Sequence, residues 1–189
     1  SLTAVIKTDP GIFLGEMLHT KTSPGSGYAG LFSEKKLALA LHHKEYISNA
    51  WFCDVKVIAE VLQAAPKDSV VHLANSTPVR YAQLFRPRQD ITYYSNRGTS
   101  GIDGCISTAA GSAFASKLPT LLITGDLAFI YDSNALWNNY LTSDLKIVVI
   151  NNNGGNIFSL IDTGSETDEI RHYFETPHQV KISSLAEAY

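Results

Sequence analysis

The sequence predicts an α/β fold: a doubly wound, mostly parallel sheet with helices on both faces. Three observations point there. First, four short runs of strand character, at residues 69–74, 90–95, 120–124 and 145–150, alternate with segments of helical character. Strands separated by helices imply parallel pairing through right-handed crossovers. Second, each run is followed at its carboxyl end by polar or Gly-rich sequence, and the carboxyl ends of an open parallel sheet border its ligand crevice. Third, 189 residues with 44% apolar and 17% charged content suit a globular domain of ordinary size.

Residues 1–30 are punctuated by Pro10-Gly11 and Ser23-Pro24-Gly25-Ser26-Gly27, and read as connector with one short extended piece at residues 2–6. A helix is expected over residues 32–51, with Leu37, Ala38 and Leu41 on one face. His42 and His43 are adjacent, so they point in different directions on that helix and read as solvated or half-packed rather than as a joint metal site. Residues 55–65 form a helix with Val55, Ile58, Val61 and Leu62 as its buried stripe, ended by Pro66. Strand 69–74 leads to a helix over 77–84, entered through Pro78 in its first turn. Strand 90–95 leads to a helix over 104–117 that is rich in Ala, Ser and Gly. After strand 120–124 a helix is expected over 134–141, then strand 145–150. Residues 163–172 are polar with little to bury, so they are expected to order only against a ligand or partner. A last helix begins at 183–189, capped by Ser183 or Ser184.

The chain starts on Ser1 and stops within that helix, which reads as an excised domain of a larger protein. Residues 1–50 are expected to be a connector from a preceding domain, and 51–189 one domain truncated at its C-terminus. A net charge of −3 offers no basic field, which argues against a nucleic-acid partner. Cys53 and Cys105 lie far apart without paired spacing, arguing against a disulfide framework or a zinc site and for a reducing compartment. No apolar run approaches ~20 residues, and no signal pattern opens the chain, so the expectation is a soluble, cytoplasmic protein without a membrane span.

The chemistry concentrates in three segments. Gly125-Asp126-Leu127 opens after one strand and Asn151-Asn152-Asn153-Gly154-Gly155 after the next. A carboxylate, amide oxygens and Gly-rich backbone suit a hard cation such as Mg²⁺ beside a phosphate. Asp126 taken alone reads equally well as a helix cap. Three amides in a row favour neither helix nor strand, which points to polar contact with an ion or phosphate. Between residues 95 and 104, Gly98, Gly101 and Gly104 permit close approach of backbone N–H groups to an anion, and a helix N-terminus follows. The spacing matches neither a P-loop nor a dinucleotide fingerprint, and tight helix–sheet packing is the competing reading for the small residues of helix 104–117. Asn75-Ser76-Thr77-Pro78-Val79-Arg80 adds a hydroxyl and a guanidinium. Arg80 and Arg97 together suggest a polyanionic substrate, against a default of surface ion pairs.

Gly-Asp, a spacer and then Asn-Asn resembles the metal–diphosphate motif of thiamine-diphosphate enzymes, with Leu127 where that motif has a second Gly. With Asn75-Ser76…Arg80 and Arg97-Gly98-Thr99-Ser100-Gly101-Ile102-Asp103-Gly104, the set resembles the 2-succinyl-5-enolpyruvyl-6-hydroxy-3-cyclohexene-1-carboxylate synthases of menaquinone biosynthesis, which share the Leu127 departure. The resemblance covers roughly residues 54–189 and implies the thiamine-diphosphate-binding fold, here its diphosphate-binding domain. It implies decarboxylation of 2-oxoglutarate and addition of the resulting succinyl-semialdehyde carbanion to isochorismate. It also implies that Asp126 and Asn152 ligate Mg²⁺ through side-chain oxygens and Gly154 through its carbonyl. Ser76, Ser100 and Gly125 would lie along the diphosphate, and Ile102 would bend the cofactor. Arg80 and Arg97 would hold substrate carboxylates, with Ile157 and Phe158 as an apolar wall. The activating glutamate of such enzymes lies in a separate pyrimidine-binding domain, reached across a dimer interface. The resemblance therefore implies a homodimer or dimer of dimers at full length, and an inactive fragment here. Two rivals remain: another thiamine-diphosphate decarboxylase or carboligase, and a non-catalytic phosphate-binding module.

Overall fold

The structure, a computed structural model, describes residues 5–20, 27–160 and 167–189. The chain divides into two units, with the division after Ser48. In the first unit, α1 spans Pro10–His19, where connector was expected. Pro10-Gly11 reads as a break, but proline at the first helical position is a start signal. Asp9 completes it, its Oδ1 accepting from the N–H groups of Gly11 at 2.8 Å and Ile12 at 3.2 Å. Helix α2 spans Tyr28–Asn49, close to the expected range. Of the short extended piece expected at 2–6, residues 2–4 lie outside the described residues.

The second unit is built on four strands: β1 Ser69–Leu73, β2 Ile91–Tyr94, β3 Thr120–Gly125 and β4 Leu145–Ile150. Their order is β2-β1-β3-β4, and every pairing is parallel. Each residue of β1 is buried, as expected of a strand covered on both faces. Alternation along the strands divides the core. Val71, Leu73 and Ile123 face α3 (Asp54–Ala64) and α4 (Thr77–Ala82), packing with Ile58, Leu62, Val79 and Ala82. Leu122 faces the other way, packing with Cys105, Ile106 and Ala109 of α5 (Cys105–Ser116) and Phe129 of α6 (Asp126–Tyr131). The doubly wound arrangement follows: helices on both faces of a parallel sheet. Each large core side chain of this kind contributes about 1.5–3 kcal/mol by burial.

At the strands' amino ends, Arg88 clamps the layers. Its Nη1 donates to the carbonyls of Leu62, Gln63 and Ala65 at the end of α3, while Nε and Nη2 grip Asp90. A cation there also suits the helix C-terminus. The hydrogen bond from Arg88 holds the Asp90 carboxyl below its ordinary value.

Two local expectations are corrected. The helix after β3 is α6, starting at Asp126 itself; residues 134–141 hold only a 3-10 turn, Ser133–Leu136, then exposed Trp137 and Tyr140. The Asn138 amide donates to the Ala135 carbonyl, closing that turn before a helix can propagate. After β4 come the short α7 (Ile157–Leu160), α8 (Asp168–Ile170) and a π-helical turn, Arg171–Glu175. Of the polar stretch 163–172, residues 163–166 lie outside the described residues. The last helix, α9, spans Ile182–Glu187 with Lys181 as its N-cap residue, so Ser183 and Ser184 sit inside it. Packing decides this start, because Ile182 and Leu185 lie against the α5–α6 side of the core. Among the described residues, no helix is long and apolar enough to cross a membrane.

Candidate functional site

The order β2-β1-β3-β4 puts the topological switch between β1 and β3, and open α/β sheets bind ligands outside the carboxyl ends of the strands at such a point. Ser76 follows β1, Arg97 follows β2, Asp126 begins directly after β3, and Asn152 follows β4. All four predicted residues therefore stand at the same end of the sheet.

Beside the switch point, Asn75 organises the Gly-rich loop. It is 2% exposed. Its Nδ2 donates to the carbonyls of Asn96 at 2.8 Å and Gly101 at 2.6 Å, and its Oδ1 accepts from Arg97 Nη1 at 3.1 Å. One buried amide thus pins both ends of the loop and one arginine. Ser95 Oγ donates to the Leu73 carbonyl at 2.6 Å, tying the loop's entrance to β1. Asn96 Nδ2 donates to Thr108 Oγ1 at 3.0 Å, tying the loop to α5. Ser100 has φ 59° and Ser76 has φ 74°, both in the left-handed region. Such residues persist only where their surroundings enforce them, and they cluster at ligand-binding loops. Ser100 Oγ donates to the Arg97 carbonyl at 3.4 Å, and Ile102 is half-buried ahead of α5. Arg80 is exposed on α4 and joins none of these contacts. Burial pushes the Cys105 thiol up from its ordinary value, which leaves it a packing residue and not a nucleophile.

Asp126 organises the second loop. Its carboxylate is buried, 2% exposed, in the first turn of α6, whose N-cap residue Gly125 has no side chain to cap it. Oδ1 accepts from Leu127 N–H at 2.7 Å; Oδ2 accepts from the N–H groups of Asn152 and Gly154, each at 3.1 Å. A carboxylate offers about four acceptor positions, so about one is left. His178 Nε2 stands 3.3 Å from Oδ2 without forming a hydrogen bond, and His178 Nδ1 accepts from Val180 N–H at 3.2 Å. Asn152 Nδ2 donates to Asp54 Oδ2 at 3.0 Å. The loop's far side meets the end of the π-helical turn and the segment that follows it. Gly155 N–H donates to the Glu175 carbonyl at 2.6 Å and His178 N–H to that of Asn153 at 3.2 Å. Gly154 has φ 151°, and a β-carbon there would stand 2.6 Å from the Glu175 carbonyl. Ile157 and Phe158 are half-buried on α7, with the Phe158 ring edge-on to Phe174 at 5.5 Å.

The chain is similar in sequence to known synthases. Over all 189 residues it is 41% identical to 2-succinyl-5-enolpyruvyl-6-hydroxy-3-cyclohexene-1-carboxylate synthase of Flavobacterium psychrophilum, covering 34% of that protein. Over 147 residues, 78% of the chain, it is 46% identical to the synthase of the same name from Christiangramia forsetii, covering 26% of its length. Over its whole length the chain is similar to a part of these synthases. It spans only about a third or less of the length of these relatives. No family model matches it. Among solved structures, a thiamine diphosphate-dependent 4-hydroxybenzoylformate decarboxylase from Rhodococcus jostii superposes with a TM-score of 0.54 at 22% identity, over 71% of this chain and 26% of that one. That likeness establishes a shared fold.

Three residues of the site escape sequence reasoning. Asn75 sits beside the predicted Ser76, and its signal is a buried amide directly after an apolar strand. Asp54 and His178 reach the site from 98 residues before Asn152 and 52 residues after Asp126, separations that no local motif covers.

Proposed function

We propose that residues 51–189 form the diphosphate- and metal-binding domain of a thiamine-diphosphate-dependent synthase, with residues 1–50 leading in from a preceding domain. The full-length protein decarboxylates 2-oxoglutarate and adds the remaining succinyl-semialdehyde unit to isochorismate. The observation that carries this reading is the Asp126 carboxylate, buried and bonded to the N–H groups of Asn152 and Gly154. That bonding supports a preformed oxygen site. The donor set, one carboxylate, one amide and a main-chain carbonyl, fits Mg²⁺ better than a thiolate- or imidazole-seeking ion. Asp126, Asn152 and Gly154 would hold the metal, and Ser76, Ser100 and Gly125 would bind the diphosphate. The left-handed backbone at Ser76 and Ser100 supports this, since such turns expose N–H groups to an anion. Thiamine diphosphate, when bound, supplies the carbanion chemistry, and the chain supplies binding, orientation and charge.

Ile102, half-buried in the loop before α5, would pack against the bound cofactor. Arg97, held by Asn75, presents a fixed guanidinium to a substrate carboxylate, and Arg80 provides a second one from α4. Ile157 and Phe158 exclude water beside the reacting carbon. A pyrimidine-binding domain of a partner subunit completes the site, so the working protein is a homodimer or dimer of dimers, and residues 1–189 alone are inactive. Cys53 and Cys105 are both free, in keeping with a cytoplasmic setting.

The test is thermal protection of the full-length protein. Thiamine diphosphate with Mg²⁺ is expected to raise the melting temperature, whereas ATP or NAD with Mg²⁺ leaves it unchanged. Product formation from 2-oxoglutarate and isochorismate separates this synthase from other thiamine-diphosphate enzymes. Protection by ATP alone, or turnover without isochorismate as acceptor, would falsify the assignment.

A further inference from the structure

A primary amide has two unlike ends: its oxygen accepts and its nitrogen only donates. For Asn152 to ligate a cation, the oxygen must face the metal. Nothing in Asn152 itself chooses between the two orientations, because the ends are nearly equal in size. Asp54 makes the choice. An ionised carboxylate accepts hydrogen bonds and cannot donate them. The 3.0 Å contact between Asp54 Oδ2 and Asn152 therefore belongs to Nδ2, and Oδ1 is turned away from Asp54.

The support beneath Asp54 is firm. It is the first residue of α3, a helix anchored in the core by the buried Ile58 and Leu62. No side chain caps that helix end, since Cys53 at the N-cap position makes no such bond. The main chain of Asn152 is fixed separately, through its N–H on Asp126 Oδ2 at 3.1 Å. Two carboxylates from different helices, α6 and α3, thus hold one residue, Asp126 by its backbone and Asp54 by its side chain.

We propose that Asp54 is a positioning residue that presents the Asn152 oxygen to the metal. The inference rests on the metal-binding reading of Asn152 given above. A competing role is available, because an acidic residue in the first turn also stabilises a helix through its charge. The two roles differ in what they need. Positioning needs only an acceptor; the helix end needs the negative charge.

The experiment titrates Mg²⁺ calorimetrically into the full-length protein held with excess thiamine diphosphate. Outer partners of metal ligands typically change affinity 10–100-fold, so Asp54→Ala is expected to weaken Mg²⁺ binding by about that factor. Asp54→Asn keeps an acceptor oxygen and is expected to restore binding close to wild type. In an Asn152→Ala background, Asp54→Ala is expected to add nothing. If Asn152→Ala leaves Mg²⁺ affinity unchanged, the metal reading itself fails. If Asn152→Ala weakens binding and Asp54→Ala does not, the positioning role falls and the metal reading stands. Equal losses in Asp54→Ala and Asp54→Asn would assign the effect to charge and overturn the proposal. Asp54→Leu, similar in volume and without an acceptor, replaces the alanine variant if that one does not fold.

Discussion

Asp126 concentrates three backbone hydrogen bonds on one buried carboxylate, and that determines how its loss must appear. A simple helix cap would lower stability by about 1 kcal/mol and leave binding intact. Here Asp126→Ala also strands two N–H groups of the loop that carries Asn152. The expected result in urea unfolding is a loss of about 1–3 kcal/mol together with loss of Mg²⁺-dependent cofactor binding. Preserved binding with a small stability change would return Asp126 to a cap. Asn75 makes the parallel case on the other side of the switch point. Asn75→Ala leaves the Asn96 and Gly101 carbonyls without their donor and frees Arg97. A destabilisation of about 1–3 kcal/mol is expected, with faster amide exchange through residues 96–101 than in the sheet.

Elements were legible where burial left a periodic trace. Strand β1 shows as an apolar run because every residue in it is buried, and α3 because Ile58 and Leu62 fall on one stripe. Helix α1 was hidden by Pro10-Gly11, whose helix-starting role depends on Asp9. Helix α6 has only six residues and overlaps the site motif, so no period could develop, and the crossover was expected too late, at 134–141. The candidate site divides the same way. Asp126, Asn152 and Gly154 lie in short motifs beside strand ends, whereas the contacts of Asp54 and His178 arise only when α3 and the segment after Glu175 pack against the loop. That packing gives the element-scale prediction. Gly154→Ala must displace the Glu175 carbonyl and also forces a β-carbon onto a backbone at φ 151°. Strain of this kind typically amounts to about 1–3 kcal/mol. The Gly155 amide, which donates to Glu175, is expected to lose exchange protection while the amides of β1 and β3 keep theirs.

At the scale of the whole molecule, stability carries a pH dependence centred on the sheet. His72 is buried in β1 with its ring 5.5 Å from that of Tyr94, and its Nε2 has no hydrogen-bond partner among the described residues. Burial pushes its pKa below 6.5. The folded chain therefore takes up this proton at lower pH than the unfolded chain does. The contribution to stability is complete above the unfolded value and is lost as pH falls through the lowered one. Urea midpoints are expected to drop as pH falls from neutrality through about 6.5 and on to the lowered folded-state value, and His72→Phe is expected to flatten that slope. A variant with the wild-type slope would place the titration elsewhere. The 98-residue separation of Asp54 and Asn152 has a further consequence, in time rather than in energy. Ribosomes add about 5–20 residues per second, so roughly 5–20 s pass between the synthesis of one partner and the other. Over that interval β1, β2 and β3 emerge in turn with no β4 to pair with β3, and that strand edge stays open to misassembly. Any metal site arrives last, as a product of folding. Dissolved Mg²⁺ should therefore leave the refolding rate unchanged while slowing unfolding of the finished protein.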